Sequence, residues 1–414
     1  GSTGLLIAQG LKQAGVSFSI WEREDPSTYA HREREWTMAL HWGREHIANT
    51  LPEDIARDIH LIQPEPELVM SEEDETSAPF INAKTGEIIA RIPAVSSRRA
   101  SRRRLRALFS RGLDIQYGKK LVDYKDDGDK VTAIFHDGTV ETGDMIIGAD
   151  SANSTVRTFV LEPYDNILHV EPTMVMNFST TYTREQALYL KGKYHPVLQM
   201  YPAHPDQPTL ALFTLADIKD KDRPETWVFQ MYLSIWGTND YPPTNDERVK
   251  LFKKYGENYC EPFRSATRWV RDDQIITPDK YRVWCRPTQW DNHGGRITLA
   301  GDAAHPMGPH RGQGLNNALE DASQLNRAIR AIVAGELPIK DAIDAYDAEV
   351  LARGSKEIQV SCRQGYSNHF WDVWQRSVTR KNGMFKVKEQ GQDFNKSAGK
   401  VKGEKSVAAH GVPA

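Results

Sequence analysis

Cysteine is scarce in this chain. Its 414 residues include only Cys260, Cys285 and Cys362, far apart, with no Cys-x-x-Cys pair and no Cys/His cluster at zinc spacing. A disulfide scaffold is thereby excluded, no metal site is read, and a reduced compartment is expected. Long apolar runs are missing as well. No stretch of 18 apolar residues occurs and mean hydropathy is −0.59, which excludes a membrane-spanning helix from the reading. Positive charge is not in excess either: 53 Lys+Arg stand against 56 Asp+Glu, so no nucleic-acid partner is expected. No secretory-signal pattern opens the chain, and the expected location is cytoplasmic. No solenoid-period repeat is visible.

What remains is a globular chain long enough for two or three domains. Leu5–Leu11 presents a helical apolar face, Ala14-Gly15 stops it, and Val16–Trp21 alternates like a strand. Residues 80–92 pattern as a hairpin, and Arg98–Ser110 as a strongly basic helix. Short strands separated by Asp-Gly turns between 120 and 149 indicate a β-meander. From about 170 to 290 the pattern is strand-rich and aromatic. Every odd position from Trp227 to Ile235 is apolar, as a sheet with one buried face requires. Arg296–Ala300 reads as a buried strand, Gly312–Ala334 as a long helix and Ile339–Ala352 as another; the stretch 386–414 reads as a disordered tail.

Three segments carry chemistry. The opening Gly1-Ser-Thr-Gly4 before a helix reads as the second and third glycines of a dinucleotide-binding turn, with Glu22, at the next strand's end, as the ribose acid. The alternative for Glu22 is a solvated strand end. The strand and first glycine of that fingerprint are expected to be missing, with weaker cofactor binding as the consequence. Asp150, in Gly148-Ala-Asp150-Ser151-Ala-Asn-Ser154, ends a strand and is either a ligand-facing acid or a helix cap. The third segment runs Gly301-Asp302-Ala-Ala-His305-Pro-Met-Gly-Pro309-His310-Arg-Gly312-Gln313-Gly314-Leu315-Asn316. There Asp302 at a strand's carboxyl end can hold a sugar hydroxyl, and Gly312 and Gly314 can expose helix-start N–H groups to an anionic ligand edge.

These three segments, in this order, resemble the class A FAD-dependent aromatic-hydroxylase-type monooxygenases typified by para-hydroxybenzoate and salicylate hydroxylases, of a fungal type. The resemblance covers residues 1 to about 355, with Ser151 standing where the family has glycine. It implies an α/β (α+β mixed) fold: a Rossmann-like FAD-binding domain with a β-meander, a β-sheet substrate domain, and C-terminal helices. The implied boundaries are 1–70, 94–168 and 285–355 for the FAD-binding domain, 71–93 and 169–284 for the substrate domain, and 356–385 for a C-terminal helical segment. The implied cofactor-binding residues are Gly1, Gly4, Glu22, Arg102, Asp150, Gly301, Asp302, Pro309, Gly312, Gln313, Gly314, Leu315 and Asn316. Neighbouring arginines leave Arg102 the alternative of a solvated charge. His41, His305 and His310 are candidates for a catalytic base by residue type only.

The implied activity uses NADPH or NADH to reduce FAD. A C4a-hydroperoxyflavin formed with O2 then delivers one oxygen atom to an electron-rich aromatic, indole or polyketide-type small molecule. A non-oxygenating FAD-dependent reductase or dehydrogenase, and an inactive FAD-binding remnant, stay open as alternatives. A halogenase is disfavoured, because the Trp-x-Trp-x-Ile-Pro signature is missing.

Overall fold

The computed structural model describes residues 1–27, 35–93, 98–377 and 380, so the stretch 386–414 lies outside the described residues. Apolar side chains gather in two large clusters. The first joins Leu5, Leu6 and Leu11 of the helix Ser2–Gln13 to Ile297 and Leu299 of a buried strand. Leu319 and Leu325 of the helix Gly314–Val333 and Val350 of the helix Ile339–Ser367 complete it. Close packing of the first two helices depends on a missing side chain. A Cβ on Gly10 would lie 2.4 Å from the Asn326 amide. Two parallel pairings run through this half: Trp21–Glu22 with Gln116–Tyr117, and Ile146–Gly148 with Ile297–Leu299. The expected meander is present as Leu121–Asp126, Val131–Phe135 and Val140–Gly143.

The second cluster lies under a six-stranded sheet. Its order is Thr173–Thr180, Val228–Trp236, Thr209–Asp217, Leu198–Tyr201, Ser77–Ile81 and Ile88–Pro93. The odd positions Phe229, Met231, Leu233 and Ile235 pack with Val249 and Phe252 of the helix Asn245–Gly256 and with Phe263 and Ala266 of the helix Phe263–Arg268. Full burial of one such side chain is worth about 1.5–3 kcal/mol, so this face anchors the sheet. The even positions Gln230 and Ser234 are buried too, but they are polar and face the other way. Gln230 accepts hydrogen bonds from Thr37 N (2.8 Å) and Thr37 Oγ1 (3.0 Å) and donates to Asn177 Oδ1 (2.9 Å). Arg104 adds a charged link to Asp217 at 2.5 Å. The sheet's second face is thus bound to the first half of the molecule by polar contacts.

The α/β class holds, while three local readings change. Arg98–Ser110 is not one helix: Arg98–Ser101 is a strand paired antiparallel with Thr37–Leu40, and the helix runs Arg102–Phe109 from an N-cap at Ser101. Four consecutive small or basic residues have no strand signal of their own, and pairing decided their state. Only Trp21–Glu22 of the alternating Val16–Trp21 segment is ladder-bonded. The helix that starts at Ile339 continues to Ser367, so a boundary at 355 falls inside one continuous element. Among the described residues, no helix is long and apolar enough to cross a membrane.

Candidate active site

Three separate turns meet in the fold, and the missing Cβ atoms show how closely. A Cβ on Gly301 would lie 2.6 Å from Thr3 Oγ1, and one on Gly4 would sit 3.4 Å from Ala149. The starts of the helices Ser2–Gln13 and Gly314–Val333 flank this junction. Neither has a capping side-chain hydrogen bond or an acid in its first turn. Elsewhere in the chain, Ser71, Ser101, Ser154, Thr183 and Thr244 cap their helices with side-chain oxygens. Uncapped helix starts leave N–H groups and positive helix-dipole ends free for an anionic ligand. The exposed Asp302 lies between them, its Oδ1 3.8 Å from where a Gly314 Cβ would be.

The loop from Pro309 to Asn316 is held from behind at several points. Gly312 has φ +63°, and an added Cβ would meet Ala39 Cβ at 2.8 Å. Asn316 is fully buried and spends its whole amide on protein. Its Nδ2 donates to Ala39 O (3.0 Å) and Gly312 O (2.9 Å), and its Oδ1 accepts from His41 N (2.8 Å) and Gly43 N (3.1 Å). With four bonds its hydrogen-bonding capacity is exhausted, so Asn316 positions the loop rather than offering a side chain to a ligand. Gln313 is likewise buried, accepting from Trp42 Nε1 at 2.9 Å. Arg311 pairs with the buried Glu357 at 2.6 Å. Backbone at Gly312, Gly314 and Leu315 stays partly accessible, and Pro309 is exposed.

Asp150 serves its own helix. Its Oδ2 accepts from Thr155 N (2.7 Å) and Val156 N (3.3 Å), and its Oδ1 accepts from Ser154 Oγ. The following Ser151 has φ +73°, the left-handed region where glycine is at ease. A Ser151→Gly variant is therefore expected to gain up to about 1 kcal/mol in urea unfolding; unchanged or lower stability would rule that account out. Arg157, 1 % exposed, carries the link that sequence reading missed: its Nη1 donates to Ala303 O (2.8 Å) and its Nε to Asn166 Oδ1 (2.6 Å). It thereby fastens the Asp150 turn to the Gly301–Ala303 turn.

The arginines near Arg102 have different partners, which no sequence pattern distinguishes. Arg102 lies 4.6 Å over the Trp36 ring, Arg103 pairs with Glu35 at 3.4 Å, and Arg106 reaches within 3.9 Å of Glu22. Glu22 ends the short strand Trp21–Glu22, on the same side as Gly1, 3.9 Å from its nitrogen.

The three candidate histidines are all buried behind the loop. His305 contacts Asp321 at 2.7 Å. Burial opposes its charge, yet the Asp321 carboxylate raises its pKa above the ordinary value. His310 meets Glu171 at 3.2 Å and is wedged against Gly365, where a Cβ would lie 2.7 Å from its ring. His41 sits beside Gly312; burial, then the charges of Arg99 and Arg311, lower its pKa to about 4, leaving it neutral at pH 7. The structure thus brings the three together as supports of one loop.

A family model described as an FAD binding domain matches residues 98–361. Among curated relatives, the FAD-dependent monooxygenase phnB of Penicillium herquei is 35% identical over 406 residues, spanning 96% of this chain and 95% of that protein. The FAD-dependent monooxygenase cctM of Talaromyces islandicus is 30% identical, covering 93% and 95%. Among solved structures, HpxO of Klebsiella pneumoniae complexed with FAD and uric acid aligns with a TM-score of 0.71 at 17% identity, over 92% of this chain and 90% of that one.

Proposed function

This chain belongs to the FAD-dependent monooxygenases built on that FAD-binding domain, and from this premise we propose that it inserts one oxygen atom of O2, with NADPH or NADH as reductant, into an electron-rich aromatic, indole or polyketide-type molecule. The observation that carries the cofactor assignment is the meeting of two uncapped helix starts with an exposed acid. Uncapped N–H groups suit a pyrophosphate or the electron-rich edge of a flavin, and an acid between them suits a ribityl or ribose hydroxyl. The donor set therefore fits FAD.

In this reading Gly1, Gly4 and the first turn of Ser2–Gln13 face the pyrophosphate, with Glu22 on the adenosine ribose and Arg102 beside the phosphate or ribityl chain. Asp302 holds the ribityl chain. The backbone from Pro309 to Leu315 receives the ring's pyrimidine edge, where helix-start N–H groups stabilise negative charge. Asn316, Gln313 and Asp150 act indirectly, by fixing the turns on which those contacts lie. The bound FAD supplies electron transfer and oxygen activation; the protein binds it, orients it and excludes water. We assign 1–70, 94–168 and 285–355 to cofactor binding and 71–93 with 169–284 to the substrate, and we extend the cofactor half through Ser367, because Glu357 and Gly365 brace the loop.

The test is direct. Purified protein is expected to carry or take up FAD, and the loaded enzyme to oxidise NAD(P)H with O2 uptake that rises when an aromatic from a screened panel is added, the product gaining 16 Da. NAD(P)H oxidation without any gain of oxygen in product would instead indicate a reductase.

A further inference from the structure

The side-chain charges around one cavity leave a single cation without a carboxylate. This cavity is lined by Leu68, Met70, Ala78, Val197 and Leu198, among others, and by Arg98 and Arg99. It lies beside the cofactor loop rather than on it. Its largely apolar walls suit the face of an aromatic ring. Most of its charged groups are already matched: Glu65 with Lys191 at 2.8 Å, Asp74 with Arg91 at 3.6 Å, and Arg98 with Glu75 at 3.6 Å. His195 is kept neutral by burial, and its Nδ1 accepts from Val197 N and Leu198 N, both at 3.1 Å.

Arg99 differs. Its Nε and Nη2 donate to Thr37 Oγ1 (3.0 and 2.6 Å) and Nη2 also to Thr37 O (2.8 Å). Those acceptors are neutral, and among the described residues no carboxylate pairs with Arg99. Burial is the cause that lowers its pKa, to about 10, so it remains charged at neutral pH without a compensating anion. A partly buried cation in that position carries a desolvation penalty that an anionic ligand would relieve.

The location fits the reaction. Thr37, which holds Arg99, also bonds Gln230 of the substrate-side sheet, while Ala39 two residues on packs at the Gly312 position of the cofactor loop. Alternation along Thr37–Leu40 puts Thr37 and Ala39 on one face, so Arg99 sits where cavity, sheet and loop meet. We propose that Arg99 is a specificity-determining residue that receives an anionic oxygen, carboxylate or ionised phenol, of an aromatic substrate. This deepens, and rests on, the monooxygenase reading. With Nε and Nη2 bonded to Thr37, Nη1 is the group left to give a charge-assisted hydrogen bond to a carboxylate or a phenolate.

The experiment measures equilibrium binding to FAD-loaded enzyme by calorimetry, without turnover, using two matched pairs of probes at pH 7.5: 1-naphthoate against 1-naphthamide, and 4-nitro-1-naphthol, largely ionised there, against 1-naphthol. Wild type is expected to prefer the anion at least tenfold in one pair or both, and which pair responds identifies the anionic group. Arg99→Gln is expected to abolish the preference while leaving affinity for the neutral member and for FAD within about twofold, and Arg99→Lys to keep part of it. Absence of any preference in wild type overturns the proposal without recourse to a variant. So does a preference that survives Arg99→Gln, or an equal loss for charged and neutral probes. Failure to take up FAD counts against the monooxygenase reading instead, and is recorded separately before any probe is added.

Discussion

Replacing Arg353 with methionine is expected to lower unfolding free energy by about 3–5 kcal/mol at pH 7, among the largest effects of any single substitution in this chain. Arg353 is 9 % exposed and binds Asp321 Oδ1 at 2.6 Å, Asn317 Oδ1 at 2.9 Å, Glu349 at 2.8 Å and Glu320 at 3.3 Å. Asp321 is wholly buried and its other oxygen accepts from Gly301 N (2.6 Å) and meets His305 Nε2 (2.7 Å). Without the guanidinium, buried Asp321 keeps His305 but loses its stronger cation, and Glu320 loses its contact with Arg353. Burial works against ionised Asp321, but His305 and Arg353 hold its pKa far below the usual carboxylate range. A depressed folded-state pKa contributes stability above the unfolded value of about 4 and loses it as pH falls through the folded one, so the contribution is whole at pH 7. Urea denaturation of wild type and variant measures the loss. An additional Asp321→Asn change is expected to recover part of it, since an amide can still accept from Gly301 N. A loss under about 1 kcal/mol for the single variant would show that the cluster is not a stabilising unit.

Gly312→Ala is expected to weaken FAD binding by tenfold or more. Two causes act together: a φ of +63° that disfavours any side chain by about 1–2 kcal/mol, and a Cβ 2.8 Å from that of Ala39. The strand carrying Ala39 cannot retreat easily, because Asn316 bonds it at Ala39 O and His41 N. The loop must therefore move, and with it the helix start to which we assign the flavin edge. Gly335→Ala serves as control. Its φ is +73° with open space around the Cβ position, so it is expected to lose about 1 kcal/mol of stability and no FAD affinity. Fluorescence titration of FAD into both apo variants decides the matter, and equal affinities would remove the steric argument.

The three strings to which we assign the cofactor stand out in the sequence because their chemistry is local. Glycines at turns, acids at strand ends and a helix beginning within a few residues act over short separations, and the odd-position apolar pattern of Trp227–Ile235 likewise names its own buried face. The opposite face was harder to read. Gln230 and Ser234 interrupt an otherwise apolar or aromatic strand, and that interruption was the available signal for a polar contact; their partners Thr37 and His369 are 193 and 135 residues away.

Chemical type named the histidines as candidate bases; the folded chain made them supports. His305 and His310 each face a glycine of the helix Ile339–Ser367, Gly354 and Gly365, and each meets an acid more than a dozen residues distant. That helix carries Arg353, Gly354, Glu357 and Gly365 along one stripe, a periodicity visible in sequence, but nothing local says that the stripe meets a cofactor loop.

The sequence by itself determined the family, the α/β class and the strings of the three turns that meet in the fold, since each depends on residues close together in the chain. Tertiary structure alone decided which of the clustered arginines answers which acid, and that Arg99 meets none among the described residues. Ion pairing and desolvation depend on distances across the fold, so the charge left over at Arg99 exists only once the sheet, the strand Thr37–Leu40 and the cavity wall have come together.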